Sequence, residues 1–464
     1  MSDSLFTAFP VELRVEIFLH FCEMYCPIGE ATEGPLVLLQ VCRSWKELAL
    51  QTPQLWNSFA LVIRPVHGPK KCEFLISAMK EWINRSRNLP LSFKLHYPVF
   101  DATCAKLIQT ILPASARWRD VALYAPSTSL FPLWEAPANS FPSLRAFRVE
   151  AVGHCHFPLA DLRFNWAQIT DLDLFGIPFS TLDECLQILK GAASLKRCSM
   201  HAACILSSND VERIVLPTLE HFQLTVYGGD NGAVLLGQPE ERLLAFLCNL
   251  CTPRLISLKI GWSVRRGPLR PYYWSDCHAR FVDFLRKSGD HLEALHLECL
   301  PFSTPQVLQC LQVVPRLRHV DFSLSQADRE HDFIDDELLL ALTQQPGCTG
   351  LLPRLQSIRL ESHGDAFSNP VLLRFIASRW KYQEPHPGWL ECVDLVTSNR
   401  RAQYRPRRFK DVKDGRLEVS ARLKSEFTML EAIASFLDRD TYGKLICFMN
   451  GDFPSDVRPL LVFG

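Results

Sequence analysis

The sequence predicts an α/β chain: a short helical N-terminal region, then a solenoid with parallel strands on a concave face and helices on a convex one. Three observations carry this prediction. A short apolar phrase recurs ten times through the middle of the chain, amphipathic segments lie between its copies, and the N-terminal helical segments hold more apolar surface than a small bundle can use.

The phrase is apolar, two polar, apolar, one polar, apolar. It reads "WRDVAL" from Trp118, "LRAFRV" from Leu144, "ITDLDL" from Ile169, "LKRCSM" from Leu195 and "LEHFQL" from Leu219. It continues as "LISLKI" from Leu255, "LEALHL" from Leu292, "LRHVDF" from Leu317, "LQSIRL" from Leu355 and "LECVDL" from Leu390. A proline commonly sits just upstream, as in "FPS", "TPR", "VPR" and "LPR". Subtracting the starting positions gives spacings of 26, 25, 26, 24, 36, 37, 25, 38 and 35 residues. The short spacings fall within the leucine-rich-repeat range of about 20–29 residues. The longer ones carry surplus of loop composition, such as "YGGDNGAVLLGQPEE" and "GWSVRRGPLRPYYWSD". Between the phrases, "STLDECLQILKG" has a capping Ser180 or Thr181, an apolar stripe and a terminal Gly191. "PEERLLAFLCNL", "STPQVLQCLQVV", "DDELLLALTQQ" and "NPVLLRFIASRW" follow the same rule. Each strand–helix unit then buries its apolar face only against its neighbours.

Composition narrows the function. Fifty basic and fifty acidic side chains in 464 residues give no electrostatic case for nucleic acid or an anionic membrane. No basic n-region precedes an apolar core, and no apolar run approaches the roughly 20 residues that span a bilayer. Seventeen scattered cysteines read as reduced thiols of a cytoplasmic or nuclear protein. The single C-x-x-C, Cys248–Cys251, has no second pair to complete a zinc site. "HCH" at His154–His156 and Cys277–His278 are equally isolated. No G-x-S-x-G, P-loop, H-E-x-x-H or G-x-G-x-x-G stands out, and "HLEALH" spaces its histidines wrongly for a zincin. The expectation is a non-catalytic protein without metal or cofactor.

In "FPVELRVEIFLHFC" from Phe9, a helical period gathers Val11, Val15, Phe18, Leu19 and Cys22 on one side. Leu13, Ile17 and Phe21 gather on another, more than about 100° away. One face packs at home; the other wants a partner. "LVLLQVCRSWKELAL" follows as a second apolar segment, then "TPQLW" ending at Trp56.

Phe9-Pro10-x-Glu12-Leu13, Ile17-Phe18, Val41-Cys42-Arg43-x-Trp45, Leu48-Ala49 and Pro53-x-Leu55-Trp56 resemble an F-box. The chain is similar to the F-box proteins abundant in mushroom-forming fungi. In those, "LW" leads into a strand, a helix ending in "RS" and a "PL" strand, matched here by "WNSFALVI", "ISAMKEWINRSRNLP" and "LSFKL". Phe9 stands where a leucine is usual, and the connector "EMYCPIGEATEGP" is somewhat long and polar. The repeats resemble the irregular leucine-rich repeats of that family, without a regularly placed Asn.

The resemblance implies the substrate-recognition subunit of an SCF-type ubiquitin ligase, whose F-box docks a Skp-family adaptor and through it a cullin complex, and whose repeats bind a target protein. The implied docking residues are Phe9, Pro10, Leu13, Ile17, Phe18, Phe21, Leu38, Val41, Cys42, Trp45 and Leu48. Trp45 joins the adaptor-facing surface and Trp56 pins the motif to the first strand. Two other readings stay open: a plain helical cap of the array, and a repeat scaffold acting outside an SCF complex.

In the strands, the residues between the leucines face the concave sheet. That row includes Tyr124, Arg148, Glu150, Asp171, Asp173, Phe175, Arg197, His201, Lys259, His296, Glu298, Asp321, Arg359, Glu361 and Asp394. Mixed charge with scattered aromatics suits a protein target, and Arg148, Arg197 and Lys259 are candidates to receive a phosphorylated motif. The expected domains are an F-box over 1–60, a linker helix and first strand over 61–100, the solenoid over 101–400, and a basic linker with a C-terminal helical cap over 401–464.

Overall fold

The structure, a computed structural model, describes residues 9–397 apart from 23–24, 31, 99–101, 138, 154–161, 208–211, 229–238, 264–273, 275–276, 325–331, 346–349, 363–365, 380–389 and 391, together with the backbone of 417–422. "HCH" and the amphipathic segments expected beyond 422 lie outside the described residues. Two compact units form: Met1–Ala203 with Ile214–Thr218, and Cys204–Arg213 with Leu219–Gly464.

The first unit opens with α1 (Val11–Phe21), β1 (Cys26–Pro27), α2 (Pro35–Val41) and α3 (Arg43–Gln51). It continues with β2 (Ser58–Val62), α4 (Pro69–Arg85), β3 (Leu91–His96), α5 (Ala102–Ile111), β4 (Trp118–Pro126) and α6 (Pro132–Glu135). Then come β5 (Ala146–Val152), β6 (Asp171–Phe179), α7 (Leu182–Gly191), β7 (Arg197–Ala203) and the short β8 (Ile214–Val215). Strands β1 to β7 pair in chain order, all parallel.

The second unit contains β9 (His221–Tyr227), α8 (Pro239–Cys248), β10 (Leu250–Cys251), β11 (Ser257–Ser263), α9 (His278–Ser288) and β12 (Ala294–Glu298). It continues with α10 (Thr304–Gln312), β13 (His319–Ser323), α11 (Asp336–Leu342), β14 (Ser357–Ser362), α12 (Asn369–Arg379), β15 (Cys392–Thr397) and β16 (Leu417–Arg422). From β9 through β11 to β15 the neighbours are parallel, while β16 returns antiparallel on β15. Parallel neighbours need a crossover connection, and the helices supply most of these. The chain is thus α/β with extensive parallel sheet. No helix among the described residues is long and apolar enough to cross a membrane.

All ten phrases become strands, and the leading residue explains how. Leu144, Ile169, Leu195, Leu255, Leu292, Leu317 and Leu355 each donate a backbone N–H to the carbonyl three residues earlier, closing a four-residue turn. Pro142, Pro253, Pro315 and Pro353 occupy the second position of such turns, where a fixed φ near −65° is favourable. The next two apolar residues enter the ladder in register. Leu258 lies beside Phe222 and Leu295, which continues to Val320, Ile358 and Val393. These side chains are buried, each worth about 1.5–3 kcal/mol relative to exposure. Helix starts are capped as the composition predicts: Thr181 accepts from the Glu184 N–H, Asp335 from that of Leu338, and Ser303 with Gln306 forms a reciprocal box.

Helix ends are held by arginines from later in the chain. Arg117 donates to Leu89 O at 2.9 Å, to Ile83 O at 3.4 Å and to Ser86 Oγ, closing the end of α4. Arg379 does the same after α11, donating to Leu342 O at 2.7 Å, Leu352 O at 2.9 Å and Leu351 O at 2.5 Å. Burial pushes the Arg379 guanidinium down to about 10, so it stays charged at neutral pH. Lysine lacks the planar fork and strands buried carbonyls. Arg379→Lys is expected to lower stability by about 2–4 kcal/mol, read as a shifted urea midpoint; an unchanged midpoint contradicts this account of the helix end.

Three differences from the sequence reading stand out. The second N-terminal segment is two helices, because Cys42 is extended at φ −160°, ψ 171°. A strand, β16, occupies part of the expected basic linker. Trp274, in a stretch of loop composition, is buried against Trp262, Phe281 and Phe302 at ring separations of 5.8, 5.8 and 4.9 Å.

Candidate functional site

Helix α1 follows Pro10, which ends the preceding chain without a side-chain cap. Its outer row is apolar: Leu13 is 51 % exposed, Ile17 46 % and Phe21 53 %. These positions are four apart, so one helical stripe carries all three. Phe9 before the helix is 49 % exposed, and Val41 at the end of α2 is 52 % exposed. Pro10 is exposed as well.

The inner side of α1 is different. Phe18 is fully buried and lies against Trp45, ring centroids 5.0 Å apart. Leu38 and Leu48 are also buried. Phe18, Leu38 and Leu48 therefore pack at home rather than on a docking surface. Phe18 stands about 100° from Ile17 and turns toward Trp45 on α3, while Val15 and Leu19 are half-buried. Val11, grouped with that inner side by the helical period, is exposed. Trp45 and Cys42 are half-buried.

Trp56 is fully buried. Its Nε1 donates to Ala49 O at 2.9 Å, Trp82 packs edge-on at 5.1 Å, and the Arg85 guanidinium covers its ring at 4.5 Å. From there an aromatic series runs through the core: Trp82 to Phe59, Phe59 to Phe93, Phe93 to Trp118, Trp118 to Phe141. The end of α3 is thus tied to the first long strands.

In the second unit, a cleft of about 310 Å³ is lined by Lys259, His296, Leu297, Glu298, Asp321, Ser323, Arg359 and Glu361. Register alone assembles it. Lys259, His296, Asp321, Arg359 and Asp394 are lateral neighbours on five strands, and Gly261, Glu298, Ser323 and Glu361 form the next row. Within the cleft, Lys259 Nζ lies 3.3 Å from Glu298, and His296 Nδ1 lies 3.3 Å from Asp321. Arg359 stands 3.9 Å from both Asp321 and Glu361, close enough for attraction but too far for hydrogen bonds. Its donors are available to a ligand.

Ser323, His296 and Asp321 are residue types of a hydrolytic triad, but the Ser323 hydroxyl donates to Glu361 at 2.9 Å. Nucleophilic catalysis requires that proton to go to the imidazole. The arrangement is a polar lattice suited to binding. Exposed cross-strand charge pairs contribute only about 0.2–1 kcal/mol each. Asp321→Asn is accordingly expected to shift the urea midpoint by less than about 1 kcal/mol equivalent; a much larger loss would make these charges a stability device.

Of the other residues expected on the sheet face, Asp171 and Arg197 are ion-paired, and Asp173 accepts the Phe175 N–H at 3.3 Å. Of the three cations considered for a phosphorylated motif, only Arg148 has no ion-pair partner among the described residues. Tyr124 stacks on His96, and Phe175 on His201. Sequence reasoning missed His96 and Ser323, although extending the period-two alternation by one step in β3 and β13 reaches both. Among the described residues no three His, Cys, Asp or Glu side chains gather to hold a metal ion. No family model matches this chain, and no curated protein matches it.

Proposed function

We propose that this chain is a non-catalytic substrate receptor of an SCF-type ubiquitin ligase, with an F-box over its first 60 residues and an irregular leucine-rich-repeat solenoid behind it. The exposed row Leu13, Ile17 and Phe21, with Phe9 and Val41, docks a Skp-family adaptor in the cytoplasm or nucleus. The sheet face holds the target protein, and the polar cleft on β11–β14 is its strongest candidate contact. The mechanism is effective concentration: one chain binding both adaptor and target raises the encounter rate of target and transfer machinery without new chemistry.

The observation that carries this reading is the uncovered apolar stripe on α1. A terminal cap of a repeat array presents a polar outer face, whereas α1 leaves three large apolar side chains in water. Burying them on a partner would contribute about 1.5–3 kcal/mol each. The test is co-purification of the full chain with a purified Skp-family adaptor. A stable one-to-one complex supports the reading. Its absence favours a repeat scaffold acting outside an SCF complex.

A further inference from the structure

The polar face of the first unit's sheet holds a carboxylate that the fold leaves alone. Glu150 is exposed on β5 and has no hydrogen-bond or ion-pair partner among the described residues. On one side its lateral neighbour is Tyr124, whose ring stacks on His96 with centroids 4.3 Å apart and planes 13° from parallel. On the other side its neighbour is Gly176, where the register with β6 shifts. A Cβ at Gly176 would meet Glu150 Cγ at 2.4 Å and its Cα at 2.5 Å, so only glycine admits this approach. The same irregularity turns out Phe175, which is 39 % exposed and stacks on His201 at 5.4 Å.

Across the strands the order is therefore stacked pair, lone carboxylate, stacked pair. Of the cations nearby, Lys94 is engaged with a different ring, its Nζ 4.1 Å above Tyr25, and Arg148, two residues before Glu150 on β5, forms no ion pair with it. Burial pushes His201 down from the ordinary imidazole value, which favours its neutral form.

We propose that this stripe docks a basic side chain of the target protein, with its cation on Glu150 and its flanks on the faces of Tyr124 and Phe175. A carboxylate accepts charge-assisted hydrogen bonds, and electron-rich ring faces attract cations while tolerating a flat apolar flank. Arginine fits best, because its guanidinium is planar, stacks on rings and binds a carboxylate with two parallel donors. The inference rests on the reading that the sheet face takes the target, but not on adaptor docking.

The test uses the full chain and a fluorescein-labelled glycine–serine heptapeptide carrying two arginines, followed by anisotropy at low salt. Matched peptides carry citrulline or glutamate instead. The arginine peptide is expected to bind, the citrulline peptide about tenfold or more weakly, and Glu150→Gln to lose about tenfold with unchanged melting temperature. Phe175→Ala should lose a smaller factor. No binding of the arginine peptide, equal binding of the citrulline peptide, or indifference to Glu150→Gln overturns the proposal. Preference for the glutamate peptide also overturns it and assigns the face to Lys94 and Arg148. Loss on Asp321→Asn with none on Glu150→Gln moves the arginine to the other cleft and likewise overturns it. Adaptor capture, measured on the same preparations, separates failure here from failure of the ligase reading.

Discussion

A chain carrying Ile17→Asp is expected to lose at least about a hundredfold in affinity for a purified Skp-family adaptor while keeping its fold. Ile17 sits at the centre of the exposed row on α1, with Leu13 one turn before and Phe21 one turn after. In the free chain an aspartate there stays hydrated, and surface substitutions of this kind change stability by about 0.5 kcal/mol or less. Docked against an apolar partner, the same carboxylate loses its water without gaining a partner, at a cost of several kcal/mol. Leu13→Asp should behave alike. Phe18→Asp provides the contrast: Phe18 is buried against Trp45, so that variant fails by unfolding the N-terminal helices. Binding by Ile17→Asp at wild-type affinity, in a preparation with native circular dichroism, would remove α1 from any docking surface.

Trp56→Ala is expected to destabilise the first unit by about 3–5 kcal/mol, the usual cost of a large cavity in a core. The side chain is fully buried, and its removal strips the Ala49 carbonyl of a 2.9 Å hydrogen bond and both Trp82 and Arg85 of their contacts. Trp56→Phe keeps most of the volume but not the indole N–H, so it should cost roughly 1–2 kcal/mol. Because Trp56 ties the end of α3 to the core, the alanine variant should also weaken adaptor capture with α1 itself untouched. Urea unfolding followed by fluorescence and adaptor titration measure both effects. Wild-type stability of Trp56→Ala would mean that the aromatic series from Trp56 to Phe141 does not anchor the N-terminal helices.

Much of the strand architecture was legible because its physics is local. In copies such as Thr252–Ile260, a buried leader closing a turn, a proline at the turn's second position and two alternating apolar residues lie within nine consecutive residues, so these copies announce themselves. What was not legible depended on distant partners. Helical periodicity gives α1 two apolar faces but cannot say which turns inward; Trp45 on α3 decides that by covering Phe18. The break at Cys42 leaves no mark, since the residues around it are ordinary helix formers. Trp274 reads as loop because its neighbours are turn formers, yet three core aromatic residues surround it. The cleft was half legible: alternation places Lys259, His296, Asp321 and Arg359 on one face, but only register makes them lateral neighbours on adjacent strands.

The proposed role of α1 is to face a partner with its exposed apolar row. Hydrogen–deuterium exchange of the full chain, with and without a saturating purified Skp-family adaptor, tests this most directly. The predicted result is slowed exchange in peptides covering residues 11–21 and 35–41, with peptides from β11 to β14 unchanged. Unaltered exchange throughout α1, or protection confined to the sheet strands, would contradict it.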